Sequence, residues 1–303
     1  MEPIQQLSEI TLELDKRKGE KDVAYFIERF GHIRDAQNKF RTIPFKLFPE
    51  QKRALNSIVN KPAIQLLKAR QLGFTWLALH WSLHQNHYIH GITGFITSRA
   101  ELEVIELMNR YEFIMRNCPE LFCNFKDRSI VNSGWNGTFY EKNSLSIRML
   151  HEDDESRIIG FPSNKNSGVS FTGAWWIADE HAKQEDAEEI FGAIFPAIDN
   201  PESKFISLST IERGSFFEKL WLEDNGIEKV FLSCFADPRR NQEWYDKMLL
   251  KMGVEKMYRY YPRTIEEAFL IPGGAFFPEY SEEIHTTPFM KTLPCTRYIA
   301  VDY

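Results

Sequence analysis

The stretch Ala63–Trp76, AIQLLKARQLGFTW, decides the fold. Ala63–Leu67 is a short apolar run that reads as a strand, and Trp76–His87 reads as a helix. Between them lie Lys68, Ala69, Arg70, Gln71, Leu72, Gly73, Phe74 and Thr75. A strand, a tight loop and a helix form the setting of a phosphate cradle, in which backbone N–H groups and the helix N-terminus meet an anion. Against the pattern G-x-x-x-x-G-K-[ST], Gly73 and Thr75 sit correctly, but Phe74 holds the lysine place and Lys68 the place of the first glycine. An ordinary strand-to-helix turn would also carry such a glycine. Phosphate chemistry needs a cation near the β- and γ-phosphates, and Lys68 and Arg70 are the local candidates. Lys68 is expected to fold back onto the phosphates. Arg70 is then either a second clamp or a cis-acting sensor of the γ-phosphate. The Thr75 hydroxyl is placed to meet Mg2+, with Trp76 closing the segment.

Downstream, Ala174–Ala178 is an apolar strand running into Asp179 and Glu180. Asp179 would hold magnesium, directly or through water, and Glu180 would polarise an attacking water as general base. A strand end capped by two solvated acids is the plainer alternative. The separation from the loop leaves room for two strand–helix crossovers. A Glu directly after the Asp places this strand between the phosphate-loop strand and its neighbour. The next strand, Phe205–Leu208, carries Ser207 and runs into Ser209 and Thr210. These hydroxyls can bond the γ-phosphate or the Glu180 carboxylate and relay hydrolysis to a moving part. Upstream, the Gln51 amide either reads an adenine edge or is an exposed side chain at a helix start.

The remaining chain alternates strands and helices. Residues 3–37 read as two helices, the second with Val23, Phe26, Ile27, Phe30 and Ile33 on one face. Residues 38–50 form a connector, and a helix starts at Pro49. Gly94–Thr97 is a strand. Ser98, with Glu101 three residues on, opens a helix whose apolar face is Leu102, Ile105, Met108 and Tyr111. Leu145, Ile147 and Met149 alternate as a half-buried strand. Residues 216–270 are helical and aromatic-rich around a strand at Val230–Phe235, and Tyr298–Val301 is the last strand. This order predicts a mostly parallel α/β sheet covered by helices on both faces.

With 303 residues, 43% of them hydrophobic, the chain can build one large domain and a small appendage. Cys118, Cys123, Cys234 and Cys295 lack zinc-ligand spacing, which predicts free thiols in a reducing compartment. No secretory signal is expected, and no apolar run reaches the roughly 20 residues that span a bilayer. The net charge of −6 excludes a protein that simply coats nucleic acid, so any such contact is local, transient or made by a ring. His80 and His84 lack the glutamate of a zinc helix. Trp175, Trp176, Trp221 and Trp244 read as packing residues, Glu152–Glu155 as a solvated turn, and Arg239 and Arg240 as a solvated pair.

Several motifs resemble one family, the large subunits of terminases, the motors that package tailed-phage and herpesvirus-type genomes. Ala69–Thr75 resembles the family's R-Q-x-G-x-T loop, of which some members carry the lysine at the front, as Lys68 does here. Trp176–Ala182, WIADEHA, is similar to its h-h-D-E-h-A strand. Ser209 and Thr210 followed by Gly214, Phe216, Phe217 and Trp221 look like the coupling motif. Tyr261–Phe269, YPRTIEEAF, resembles Y-P-x-x-x-E-E-A-F, with Gly273, Gly274, Phe276 and Phe277 beyond it. Tyr298–Asp302 looks like the first strand of an RNase H-like nuclease, ending on a metal-binding aspartate.

The resemblance implies a P-loop NTPase fold of the ASCE, RecA-like type with a small helical lid. Residues 1–44 would contribute helices to the lid, 45–214 the ATPase core, 215–295 the lid and linker, and 296–303 the start of a truncated nuclease domain. Its function would be Mg2+-dependent ATP hydrolysis that drives double-stranded DNA into a procapsid. Partners would be DNA, the portal protein and the small terminase subunit, in the host cytoplasm and away from membranes. The subunits would form a ring on the procapsid and be monomers in isolation. A neighbour's arginine finger is expected, with Arg99, Arg157 and Arg213 as candidates. Asp302 alone cannot hold the metal pair that DNA cleavage needs, so no nuclease activity is expected. The alternatives are another DNA-dependent P-loop ATPase of helicase type, or a nucleotide-binding scaffold that does not hydrolyse.

Overall fold

A computed structural model describes residues 3–124, 135, 137–164, 171–198, 200 and 202–270. Asp302, the strand Tyr298–Val301, the segment Gly273–Phe277 and Cys295 lie outside the described residues. The chain opens with α1 (Pro3–Lys21), α2 (Val23–Phe30) and a hairpin of β1 (His32–Asp35) and β2 (Arg41–Pro44). It continues through α3 (Pro49–Asn60), β3 (Ala63–Lys68), α4 (Phe74–Tyr88), β4 (Thr93–Ser98) and α5 (Glu101–Arg116). Then come β5 (Phe122–Asn124), β6 (Thr138–Lys142), β7 (Ser146–Leu150), β8 (Glu155–Pro162) and β9 (Trp175–Asp179). The described chain ends with α6 (Ala187–Ala197), β10 (Lys204–Ser209), α7 (Phe216–Leu222), β11 (Glu228–Leu232), α8 (Gln242–Met252), α9 (Val254–Tyr260) and α10 (Ile265–Phe269).

Among the described residues, nine strands form one sheet in the order β11-β3-β10-β9-β4-β8-β7-β6-β5. β7 runs antiparallel to both neighbours and the other pairs are parallel, as expected for a mostly parallel α/β sheet. The order corrects the expected place of the acidic strand. β10, not β9, lies beside β3, and β9 is one strand further out. The single helix α6 between β9 and β10 sets them side by side as a βαβ unit, and β10 then fills the place next to β3. The interval between β3 and β9 holds α4, β4 and α5, and also β5–β8, which extend the far edge of the sheet.

Three local readings shift for identifiable reasons. α2 stops at Phe30 because Gly31 closes it, with its N–H on the Ile27 carbonyl at 2.8 Å. Ile33 therefore leaves the helix for β1, opposite Ile43, and the expected connector contains β2. Ser98 remains the last residue of β4, donating to Glu103 at 3.0 Å, and α5 begins at Glu101. Its buried face is Val104, Leu107, Met108 and Tyr111, whereas Leu102 is exposed. Gly160 of β8 fixes that face, because a Cβ there would lie 2.3 Å from Val104 and 3.2 Å from Met108. The strand expected at Val230–Phe235 becomes β11, Glu228–Leu232, since 234–236 turns as a 3-10 helix.

The core is aromatic. Trp175 and Trp176 are fully buried and donate to Asn86 at 2.8 Å and Thr97 at 3.0 Å, so neither indole N–H is orphaned. Gly94 gives Trp175 its space, because a Cβ at Gly94 would sit 1.9 Å from the ring. Helix α4 is buried on nearly every side. Its His80 ring meets the Trp76 carbonyl at 2.7 Å, and His84 meets the Gly19 carbonyl at 3.0 Å, joining α4 to the N-terminal helices. No helix of the described residues is long and apolar enough to cross a membrane.

Burial holds His80 down to about 4 and His87 down to about 3. Both are neutral in the fold, while the unfolded chain takes up protons below about 6.5. Their stabilisation is therefore complete above that value and is lost as the pH falls toward 4. Two protons correspond to roughly 3 kcal/mol per pH unit between about pH 5.5 and 4.5. Urea midpoints across that range check it; replacing both histidines should reduce the slope by about that amount, with buried His181 still contributing, and an unchanged slope would contradict their role.

Candidate phosphate-binding and hydrolysis site

The C-terminal end of β3 and the turn after β9 open onto a cleft of about 1360 Å³ lined by Lys68, Arg70, Thr75, Glu180 and Lys183. The loop after β3 curls through two left-handed residues, Gln71 at φ 60° and Gly73 at φ 76°. A side chain at Gly73 would also press on Gln51, 2.9 Å from its amide nitrogen. The N–H groups of Ala69 and Arg70 bond the carbonyls of Leu232 at 3.0 Å and Tyr260 at 2.8 Å. Donors for an anion thus come from Gln71 onward, into the first turn of α4 at Phe74.

Phe74, in the lysine place, is 1% exposed and part of the core. Lys68 ends β3 only 6% exposed, with Nζ 3.2 Å from Glu180 Oε1. Thr75 Oγ1 lies 3.1 Å from Asp179 Oδ1. The strand–loop–helix and the acidic strand end thus meet at two points. Burial pushes Asp179 up, to about 6, with Glu180 adding to the rise and Lys68 opposing it. Burial also works against the charged form of Glu180, but Lys68 and Lys183 outweigh it and hold this carboxylate below its usual range. Glu180 itself is left-handed, at φ 48°, a costly backbone state for a non-glycine residue.

The other expected residues take more specific places. Gln51 is buried, accepting from Phe48 N–H at 2.9 Å and donating to the Leu72 carbonyl at 2.9 Å. Both ends of its amide brace the loop, and neither is presented as a free adenine-reading edge. Trp76 packs on Phe113, with ring centres 5.7 Å apart. The Arg70 guanidinium lies 3.7 Å from the centre of the Tyr260 ring. Ser207 meets the His181 ring at 2.7 Å, and Ser209 accepts from Ala182 N–H at 3.2 Å. These hydroxyls hold the turn after Glu180, not its carboxylate. The Thr210 hydroxyl is buried without a hydrogen-bond partner among the described residues. Arg99 lines the cleft and pairs with Glu103 at 2.6 Å. Arg213 pairs with Glu218 at 2.9 Å, and Arg157 lies opposite Thr93, at the other end of the sheet.

Arg240 overturns its reading as half of a solvated pair. It is 5% exposed and donates to the carbonyls of Arg70 at 3.1 Å and Gln71 at 3.4 Å. It also stacks on Trp244 at 4.7 Å and Tyr261 at 5.2 Å. Arg239 turns instead to Asp35 and Asp237, each at 2.8 Å. Trp244 is near Arg240 in the chain, but Tyr261 and the two loop carbonyls reach it only through the fold, so the sequence carried no clear signal. Replacing Arg240 by Met should cost about 2–4 kcal/mol of stability and loosen the loop. Urea unfolding and nucleotide titration check this; unchanged values for both would remove Arg240 from the site.

No protein-family model matches this sequence, and no curated protein matches it significantly. Solved structures do match. A variant of the large terminase ATPase domain of Thermus phage P74-26 superposes with a TM-score of 0.59 at 15% identity, covering 72% of this chain and 93% of that one. The HK97 bacteriophage large terminase gives a TM-score of 0.58 at 14% identity, covering 80% and 54%. The large terminase of a thermophilic bacteriophage in complex with ATP-gamma-S gives 0.50 at 10% identity, covering 72% and 53%. The chain thus spans about half the length of the latter two proteins. Its fold is that of the phage large-terminase ATPase domain.

Proposed function

We propose that this chain is the ATPase motor of a terminase large subunit, hydrolysing ATP to drive double-stranded viral DNA into a procapsid. The observation that carries the proposal is the double meeting of Lys68 with Glu180 and Thr75 with Asp179. A shared fold and the nucleotide complex of a structural neighbour support it. Lys68 has two suitors, the Glu180 carboxylate and an incoming phosphate. When phosphate enters the cradle, Lys68 turns to it and releases Glu180 Oε1 to accept a proton from water. Thr75 and Asp179 offer adjacent hard oxygens, which suit Mg2+. When bound, that ion neutralises phosphate charge. Ser207 and Ser209 tie the turn after Glu180 to β10, so a change at the carboxylate is passed toward Thr210 and α7.

β11 belongs to the core sheet, so the proposed lid is the helices of residues 1–44 and of 216–222 and 242–269. Arg70, stacked on Tyr260, is where the loop meets it. Portal protein, small terminase subunit and DNA are the partners, within a ring in the host cytoplasm. Arg99 is the candidate finger already at the cleft. Phosphate release from Mg-ATP by the purified chain, with and without duplex DNA, tests the proposal. Nucleotide bound tightly but never hydrolysed would leave a binding scaffold instead.

A further inference from the structure

We propose that Lys183 is a positioning residue that holds the Glu180 carboxylate at rest until the turn carrying Lys183 moves. The inference rests on Glu180 being the general base. In the structure both oxygens of that carboxylate are occupied. Oε1 faces Lys68 Nζ at 3.2 Å and Oε2 faces Lys183 Nζ at 2.5 Å. Each oxygen keeps a second acceptor site, but an ammonium beside each one lowers the power of the carboxylate to take a proton from water.

The two ammonium groups differ in what releases them. Lys68 belongs to the phosphate loop, so the nucleotide itself draws it away. Lys183 belongs to the single 3-10 turn His181–Lys183, and among the described residues Glu180 is the one carboxylate paired with it. An exposed pair three residues apart would add little. Here the two side chains keep only 21% and 27% of their exposure.

The turn is fixed from several sides. Lys183 N–H bonds the Glu180 carbonyl at 2.9 Å, and Ala182 N–H bonds Ser209 Oγ at 3.2 Å. The His181 ring meets Ser207 Oγ at 2.7 Å, and the Gln184 amide bonds the Asp179 carbonyl at 3.0 Å. The turn that carries Lys183 is therefore tied to both β9 and β10, so the relative position of the two strands sets where Lys183 sits. Nucleotide entry frees one oxygen of Glu180, and a shift of β10 against β9 frees the other. Release of Oε1 permits hydrolysis, and release of Oε2 gives Glu180 its full basicity.

Single-turnover hydrolysis of Mg-ATP, with the 303-residue chain in excess, reads this directly. Lys183→Ala should raise the hydrolysis rate about tenfold, the factor carried by one charge-assisted hydrogen bond. The ATP dissociation constant and thermal midpoint should stay in place. Lys183→Arg, which keeps the cation, should restore the slow rate. Lys183→Gln serves as the uncharged variant if the alanine chain fails to fold. An uncharged variant that binds ATP normally and hydrolyses it at the wild-type rate or slower overturns the inference and leaves the ATPase proposal standing. If neither wild type nor the uncharged variant hydrolyses bound ATP, the ATPase proposal and the inference fall together.

Discussion

Glu180→Gln should reduce ATP turnover by about 10²–10⁴-fold while leaving nucleotide binding in place. The amide preserves the shape of the side chain and can still accept a hydrogen bond from Lys68 or Lys183. It cannot take a proton from water. It also carries no charge, so Lys68 is held less firmly and meets the phosphates more readily. The dissociation constant for ATP is therefore expected to hold or fall. Steady-state phosphate release together with a fluorescent-nucleotide titration separates the two quantities. Turnover within a few-fold of wild type would show that another group activates the water.

Lys68→Ala should produce the opposite pattern, with binding lost first. Lys68 is the buried cation between the loop and the acidic pair. Removing it takes a charge-assisted contact from the phosphates, an effect of about 10–100-fold in affinity. It also leaves Asp179 and Glu180 near each other with less opposing charge. Arg70→Ala is the informative partner, because Arg70 is stacked on Tyr260 in this structure. The expected order is a larger loss of ATP affinity for Lys68→Ala than for Arg70→Ala. The reverse order would make Arg70 the principal phosphate cation.

The sequence made the outline of this site readable because its parts are local. A strand, a loop with Gly73 and Thr75, and a helix are continuous in the chain, as are β9 and its two acids. Periodicity located Ile147 and Met149 on the buried face of β7, both fully covered. What stayed hidden depends on distant partners. The order of β3, β10 and β9 follows from how α6 crosses the sheet, which apolar runs do not encode. The face of α5 depends on the gap that Gly160 leaves in β8. Gln51 stayed open between an adenine contact and an exposed side chain, and Arg240 looked solvated, because their acceptors are backbone carbonyls of the loop after β3, and carbonyls have no signature in a sequence. Lys183 was invisible as a partner of Glu180 until the left-handed turn at Glu180 brought the two together.

The burial of Phe74 also constrains how such a loop can have evolved. The usual pattern places an ammonium at that position, but here it is a core residue beneath the first turn of α4. Phe74→Lys on its own would put a charge into packed apolar space. On the proposed function, loss of Lys68 on its own would take the buried cation from the cradle. Under that reading neither intermediate keeps both a sound interior and a working site, so one substitution does not convert one loop type into the other. A lineage that moved its lysine to the front of the loop would tend to keep it there.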